Sequence, residues 1–267
     1  MGTAAEAWVS LDHETRAQAR RFHCFYVSLV ILAAPLAAAL YLRLRLRSPV
    51  GVRWLRRHGH GAVRTIYAIA AARLLRRALR VTGCNPAPVV FWPKNVPSSC
   101  VVAFFHSPWD PVIVRELRDR RACLIRAGTN WAGELGKQYV RSDLAGLKAL
   151  VKGVAGGARC AAAADHFVVG AQNGFLGTRS VPNPAVARLS AATGAPLVTL
   201  WPAYAHGVLT FDVGTPVAAS VCAERPDEAL RVVGRFFEQA VRQDLQCWSR
   251  IVHFLERVLT AQLAGDD

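Results

Sequence analysis

Three textures of apolar and polar positions follow one another along the chain. The first is CFYVSLVILAAPLAAALYL, Cys24 to Leu42, nineteen residues without a charge and with Pro35 near the middle. As a helix it would be about 28 Å long, close to the thickness of a bilayer core, so it reads as a segment that crosses, kinks, or dips in and returns. The second runs from Val52 to Val81. There Arg53, Arg56, Arg57, His60 and Arg64, then Arg73, Arg76, Arg77 and Arg80, recur at helical spacing among Trp54, Leu55, Ile66, Ile69, Leu74 and Leu75. Such a pattern suits a helix lying in a membrane interface, and equally a helix packed on a protein body with its basic face in solvent.

The third texture begins after the turn cluster GCNPAP. Short β-type runs, Val89 to Trp92, Cys100 to Phe105, Ala122 to Ile125, Arg159 to Ala164, Pro196 to Leu200 and Val208 to Val213, are separated by helical stretches. These stretches are Pro111 to Arg120, Asp143 to Val154 and Pro184 to Thr193. Glu228 to Leu263, opened by Pro226 and Asp227, reads as one or two long C-terminal helices. Alternating strands and helices, with several strands wholly apolar, predict an α/β fold: a largely parallel sheet flanked by helices. The expected organisation is an N-terminal tail over 1–23, a transmembrane or re-entrant helix over 24–42, a basic interfacial segment over 43–85, and an α/β body over 86–267.

Charge sharpens this picture. The 267 residues are 52% apolar with a net charge of +15, and no Asp or Glu occurs between Arg16 and Trp109, where fourteen Arg and Lys94 carry the whole excess. A basic block beside an apolar run points to phospholipid head groups. A nucleic-acid partner is not expected, because the arginines flank an apolar segment instead of interleaving with exposed aromatics. Arg43, Arg45, Arg47, Arg53, Arg56 and Arg57 follow the apolar run while only Arg16, Arg20 and Arg21 precede it, which puts the C-terminal side in the cytoplasm. Ala37 to Ala39 offers small residues for signal cleavage, but a leader carrying Glu6, Asp12 and Glu14 is atypical. Seven cysteines with no CxxC pair argue against a disulfide framework and a zinc site, and His58 with His60 lacks a third ligand nearby, so no metal is expected.

Candidate chemistry sits where apolar runs end. In VVAFFHSPWD, His106 follows the run directly, at the carboxyl end of a strand where ligands of open α/β sheets bind. If Ser107 or Pro108 opens a helix, Asp110 stands about a turn away, able to accept the imidazole N–H and leave the other nitrogen as a base; the alternative is a His-Asp pair that caps the helix. Asp165 and His166 close a second apolar run, so two strands bring polar tips to one crevice. The loop with Gly170, Gly174 and Gly177 can approach a ligand closely, and Arg179 with Ser180 can hold an anionic group.

From about Val101 to Phe254 these residues resemble the lysophospholipid acyltransferase superfamily, in particular the branch of lipid A biosynthesis late acyltransferases and mannoside acyltransferases. FHSPWD looks like the family's His-x4-Asp/Glu box, with a departure: the acid falls four positions after His106, and the fifth is Pro111. The Asp-His of AADHF, then NGFLG, a helix and TGAPLVTL, matches that branch's order of motifs, and QCWSRIVHFLER is similar to its ending. The resemblance implies a glycerolipid-acyltransferase-like fold and a membrane-bound acyltransferase with His106 as general base and Asp110 stabilising its cation. It implies an acyl thioester donor, acyl carrier protein or acyl coenzyme A, a lipid or glycolipid acceptor, and no cofactor. Arg126 and Arg179 become candidates for phosphate on donor or acceptor, with Asp165, His166 and Ser180 beside them. The implied place is a cell inner membrane, catalytic body on the cytoplasmic side. Acylation of a lysophospholipid, or a non-catalytic member that keeps the fold, are the alternatives.

Overall fold

The computed structural model describes residues 4–45, 66–119, 123–126, 139–141, 143–169, 174–244, 248 and 254. The expectations for 46–65, including Trp54, His58 and His60, for Gly170, and for most of the chain after 244 lie outside these residues.

Helix α1 (Ala4–Val9) and α2 (His13–Ser28) open the chain, and Asp12 caps α2 by accepting from the Thr15 N–H at 2.8 Å. A π-helical turn, Leu29–Ala33, joins α2 to α3 (Ala34–Arg45) without a break. Pro35 explains the turn. The wide register sends the Ala34 N–H to the Leu29 carbonyl, five residues back, and the next such bond would need an N–H at Pro35, which has none. The Tyr67 hydroxyl donates to the orphaned Val30 carbonyl at 2.9 Å instead. Among the described residues, one helix, His13–Leu40, is long and apolar enough to cross a membrane. It is not a core helix along its second half: Ile31, Leu32, Leu36 and Leu40 are 60–74% exposed.

Tyr67 belongs to α4, helical over 66–81. Ile69, Leu75 and Leu79 are buried in the main core while Arg73, Arg77 and Arg80 are exposed. Of the two readings of the basic pattern, this stretch therefore follows the second: its apolar side faces protein. Phe22 of α2 joins the same core, so α2 and α4 are packed onto the α/β body.

The body is a seven-stranded sheet in the order β1-β9-β8-β2-β5-β3-β4. Its strands are β1 (Val89–Val90), β2 (Cys100–Phe104), β3 (Cys123–Arg126), β4 (Tyr139–Arg141), β5 (Arg159–Ala163), β8 (Leu197–Ala205) and β9 (Val208–Val213). Five of them, from β8 through β2, β5 and β3 to β4, run parallel, and β9 turns back antiparallel on β8. Successive residues of β2 and β5 are buried, as expected of strands covered on both faces. Helices α5 (Asp110–Asp119), α6 (Leu144–Ala155), α7 (Ala185–Thr193), α8 (Ala219–Glu224) and α9 (Pro226–Gln243) complete the body, and β6 (Val168–Val169) pairs with β7 (Ser180–Val181) in a small hairpin. Two features differ from the expectation. The strand at Pro196 to Leu200 continues to Ala205 and returns through His206 and Gly207, both at positive φ, as a tight hairpin. Gly207 is required there, since a Cβ would fall on the Ala19 carbonyl of α2.

Candidate active site

Strand register builds the site. β2 and β5 pair with Phe104 opposite Ala163, and the ladder continues with the Ala164 N–H donating to the Phe104 carbonyl at 2.8 Å. Two residues further on, the same register sets His106 beside Asp165. The Asp165 carboxylate receives three donors: Oδ2 accepts from the His106 backbone N–H at 2.9 Å and from Trp248 Nε1–H at 3.3 Å, and Oδ1 faces His106 Nδ1 at 2.7 Å. Its side chain has no exposure, so the carboxylate persists there by pairing with these donors. An ionised carboxylate only accepts, so Nδ1 is the ring nitrogen that donates to it, and in the neutral tautomer of that geometry Nε2 is the acceptor. His106 itself is buried, and His166, exposed, stands edge to face with it, ring centroids 5.9 Å apart.

Asp110 does something else. Its Oδ1 accepts from the Ser107 N–H at 2.8 Å, and Ser107 Oγ in turn accepts from the Trp109 N–H at 3.2 Å. With Pro108 between them these bonds make a capping-box-like turn at the start of α5, in which Ser107 stands where the sequence alternative of a capping His-Asp pair had His106. Asp110 Oδ2 meets Arg76 of α4 at 3.0 Å. The carboxylate on the His106 ring is therefore Asp165, where the spacing had suggested Asp110; the reason is that helix-start chemistry with Ser107 claims the nearer acid.

The remaining candidates divide. Ser180 is buried inside its own turn, its Oγ 2.6 Å from Thr178 Oγ1, with Gly174 excluded from carrying a Cβ by the Thr178 carbonyl. Arg179 is exposed on that turn. Arg126 ends β3, and its side chain lies outside the described residues. Phe104 lies against the His106 ring, centroids 5.9 Å apart, while Phe105 stacks on Phe237 at a centroid distance of 3.8 Å and lies 5.2 Å from the ring of Trp248, the donor to Asp165. Beside the turn opens a cavity of about 400 Å³, lined by His23, Tyr26, Leu75, Trp109, Tyr204 and His206 among others. Trp109 and Tyr204 stack at 4.8 Å on its wall. Burial pushes the Tyr204 hydroxyl well above its ordinary value, so it stays a neutral phenol.

Sequence reading missed Trp248 as a donor to Asp165 and Arg76 as the partner of Asp110. Trp248 lies in the QCWSR stretch that carried part of the resemblance; Arg76 was one arginine of many, with nothing to single it out.

A buried His-Asp pair at the carboxyl edge of a mostly parallel α/β sheet is an arrangement in which a carboxylate orients an imidazole for proton transfer. No family model matches the chain, and no curated protein matches it. Among solved structures it is similar to the 1-acyl-sn-glycerophosphate (LPA) acyltransferase PlsC from Thermotoga maritima, at 11% identity and a TM-score of 0.39, over 76% of this chain and 95% of that one.

Proposed function

We propose that the protein is a membrane-bound acyltransferase that moves a fatty acyl chain from an acyl thioester to a hydroxyl of a lipid or glycolipid. The observation that carries this reading is the Asp165 Oδ1 to His106 Nδ1 contact of 2.7 Å, which holds Nε2 as the acceptor at a strand end. His106 takes the hydroxyl proton as that oxygen attacks the thioester carbonyl. The C–O bond forms, the C–S bond breaks, and the imidazolium returns the proton to the departing sulfur. Asp165 stabilises the imidazolium in between. Asp110, held by Ser107 and Arg76, positions the turn that presents His106. Arg126, Arg179 and His166 are assigned to anionic groups of donor or acceptor, and Ser180 to shaping the loop that carries Arg179. The donor is acyl carrier protein or acyl coenzyme A; the exposed apolar helix and the basic N-terminal third suit an inner-membrane anchorage with the body in the cytoplasm. Within this reading the domain expected over 86–267 is the acyltransferase body, and the lipid A type of acceptor is preferred on the motif order in AADHF to TGAPLVTL.

A second reading, a binding protein of the same fold without the reaction, is favoured by one observation: the acid of the FHSPWD box is engaged by Ser107 and Arg76. Both are tested by membranes carrying wild type, His106→Ala, Asp165→Asn or Asp110→Asn, supplied with labelled acyl carrier protein or acyl coenzyme A and a total lipid extract. A new acylated lipid that His106→Ala and Asp165→Asn abolish supports transfer, and its mass identifies glycolipid or lysophospholipid as acceptor. Silence of wild type across the donor set sinks it in favour of binding.

A further inference from the structure

We infer that the His106–Asp165 pair, with His166, forms a site for a divalent transition-metal ion of the zinc class, and that the ion switches the base off. The inference rests in part on the reading of His106 as a base, and adds a regulation to that site. Each of the three residues offers one donor atom, and these atoms lie within 4.8 Å of one another, two from buried residues and one from an exposed one. Two imidazoles and a carboxylate are a set that Zn²⁺ accepts with a further position open, whereas Mg²⁺ and Ca²⁺ prefer oxygen ligands.

The geometry needs only small movements. Donors about 2.0–2.1 Å from a tetrahedral ion stand roughly 3.3 Å apart. The 2.7 Å contact between His106 Nδ1 and Asp165 Oδ1 must open by a little, and the His166 ring, exposed and already edge to face with His106, must swing inward. The Trp248 Nε1–H on Asp165 Oδ2 supplies the outer partner that keeps Oδ1 aimed at the ion.

The chemical consequence follows from the tautomer. An ion on Nδ1 displaces the ring proton to Nε2, so the ring stays neutral but the nitrogen that had a lone pair becomes a donor. The base is lost without any residue being lost. Occupancy and proton abstraction exclude each other, and the exposed His166 is the group that lets the ion in.

The test uses the purified full chain in detergent and Co²⁺ as a visible probe. One Co²⁺ per chain, with the absorption bands of a low-coordinate nitrogen and oxygen site displaced by Zn²⁺ but not by Mg²⁺, is the expected result. His166→Ala should weaken Co²⁺ binding by at least about 100-fold and Trp248→Phe by about 10–100-fold, the range for an outer partner. The double variant His58→Ala, His60→Ala should leave the spectrum unchanged. Where acyl transfer is measurable, Zn²⁺ should inhibit it over the same concentrations that displace Co²⁺, and a chelator should restore it. No Co²⁺ bound by wild type, or binding that survives His166→Ala and disappears with the His58 and His60 pair, overturns the site. A Co²⁺ signal that tracks His166 in a protein with no transfer activity keeps the metal site and removes the base, so the two failures are distinct.

Discussion

The Asp165 side chain is fully buried with three donors on its carboxylate, while Leu36 stands 74% exposed in the middle of nineteen uncharged residues. Each is a residue on the wrong side of the usual rule. The charged group tolerates burial because β2 and β5 bring its partners to it at fixed register, whereas the apolar group stays exposed among the described residues, on a helix long and apolar enough to cross a membrane. Polar burial is solved within the molecule; apolar exposure is left for the surroundings. The first kind of residue should be sensitive to atomic detail, the second only to hydrophobicity.

The largest effect that would sharpen this contrast is on the buried pair. Asp165→Asn, nearly isosteric, should cut acyl transfer by roughly 10³–10⁴-fold, because the amide no longer holds the right tautomer of His106, and His106→Ala should do the same. Asp110→Asn and Arg76→Gln should cost no more than roughly 10–100-fold, as befits groups that shape the turn without reaching the ring. Equal losses for Asp110→Asn and Asp165→Asn in a transfer assay would break the distinction.

Next in size is packing. Phe237→Ala removes a fully buried ring stacked on Phe105 and should lower unfolding free energy by about 3–5 kcal/mol in a urea titration. The pair Leu36→Ser, Leu40→Ser should change it by less than about 0.5 kcal/mol yet release the protein from membranes on flotation with anionic vesicles. Gly207→Ala lies between, at about 1–3 kcal/mol, since the hairpin needs positive φ there and the added methyl meets the Ala19 carbonyl.

The smallest effect concerns thiols. Burial pushes Cys100 up to about 11, from 9.0, against the opposing pull of Arg159. Below pH 9 the thiol is neutral folded and unfolded; as pH rises from 9 through 11 the unfolded chain ionises first, so stability falls in that window. Alkylation at pH 8 followed by mass mapping should therefore label the exposed Cys24 and spare Cys100 and Cys160 until the protein is unfolded.

Much of this architecture was legible in the chain. Apolar runs of four to six residues closed by His106 and by Asp165 with His166 announced two strand ends at one sheet edge, because parallel register converts equal endings into neighbours. The partner of His106 was not legible, since spacing along the chain favoured Asp110 and only the pairing of Phe104 with Ala163 brings Asp165 alongside. The antiparallel return at His206 and Gly207 was hidden for a related reason: β8 reads as an ordinary buried strand up to Leu200, and its extension to Ala205 is decided by the β9 residues it meets. The basic pattern of α4 also failed to declare itself, because the same amphipathic spacing serves a membrane or a protein neighbour, and only the burial of Leu75 and Leu79 decides which.

Tyr67 gives the two helices a common pivot. Its hydroxyl ends on the one carbonyl of the apolar helix that Pro35 cannot serve, and in a hydrocarbon setting no water would take its place. About two and a half turns further along the same α4 helix, Arg76 grips Asp110. The single helix α4 therefore links the π-turn of the apolar helix at one end to the turn that presents His106 at the other.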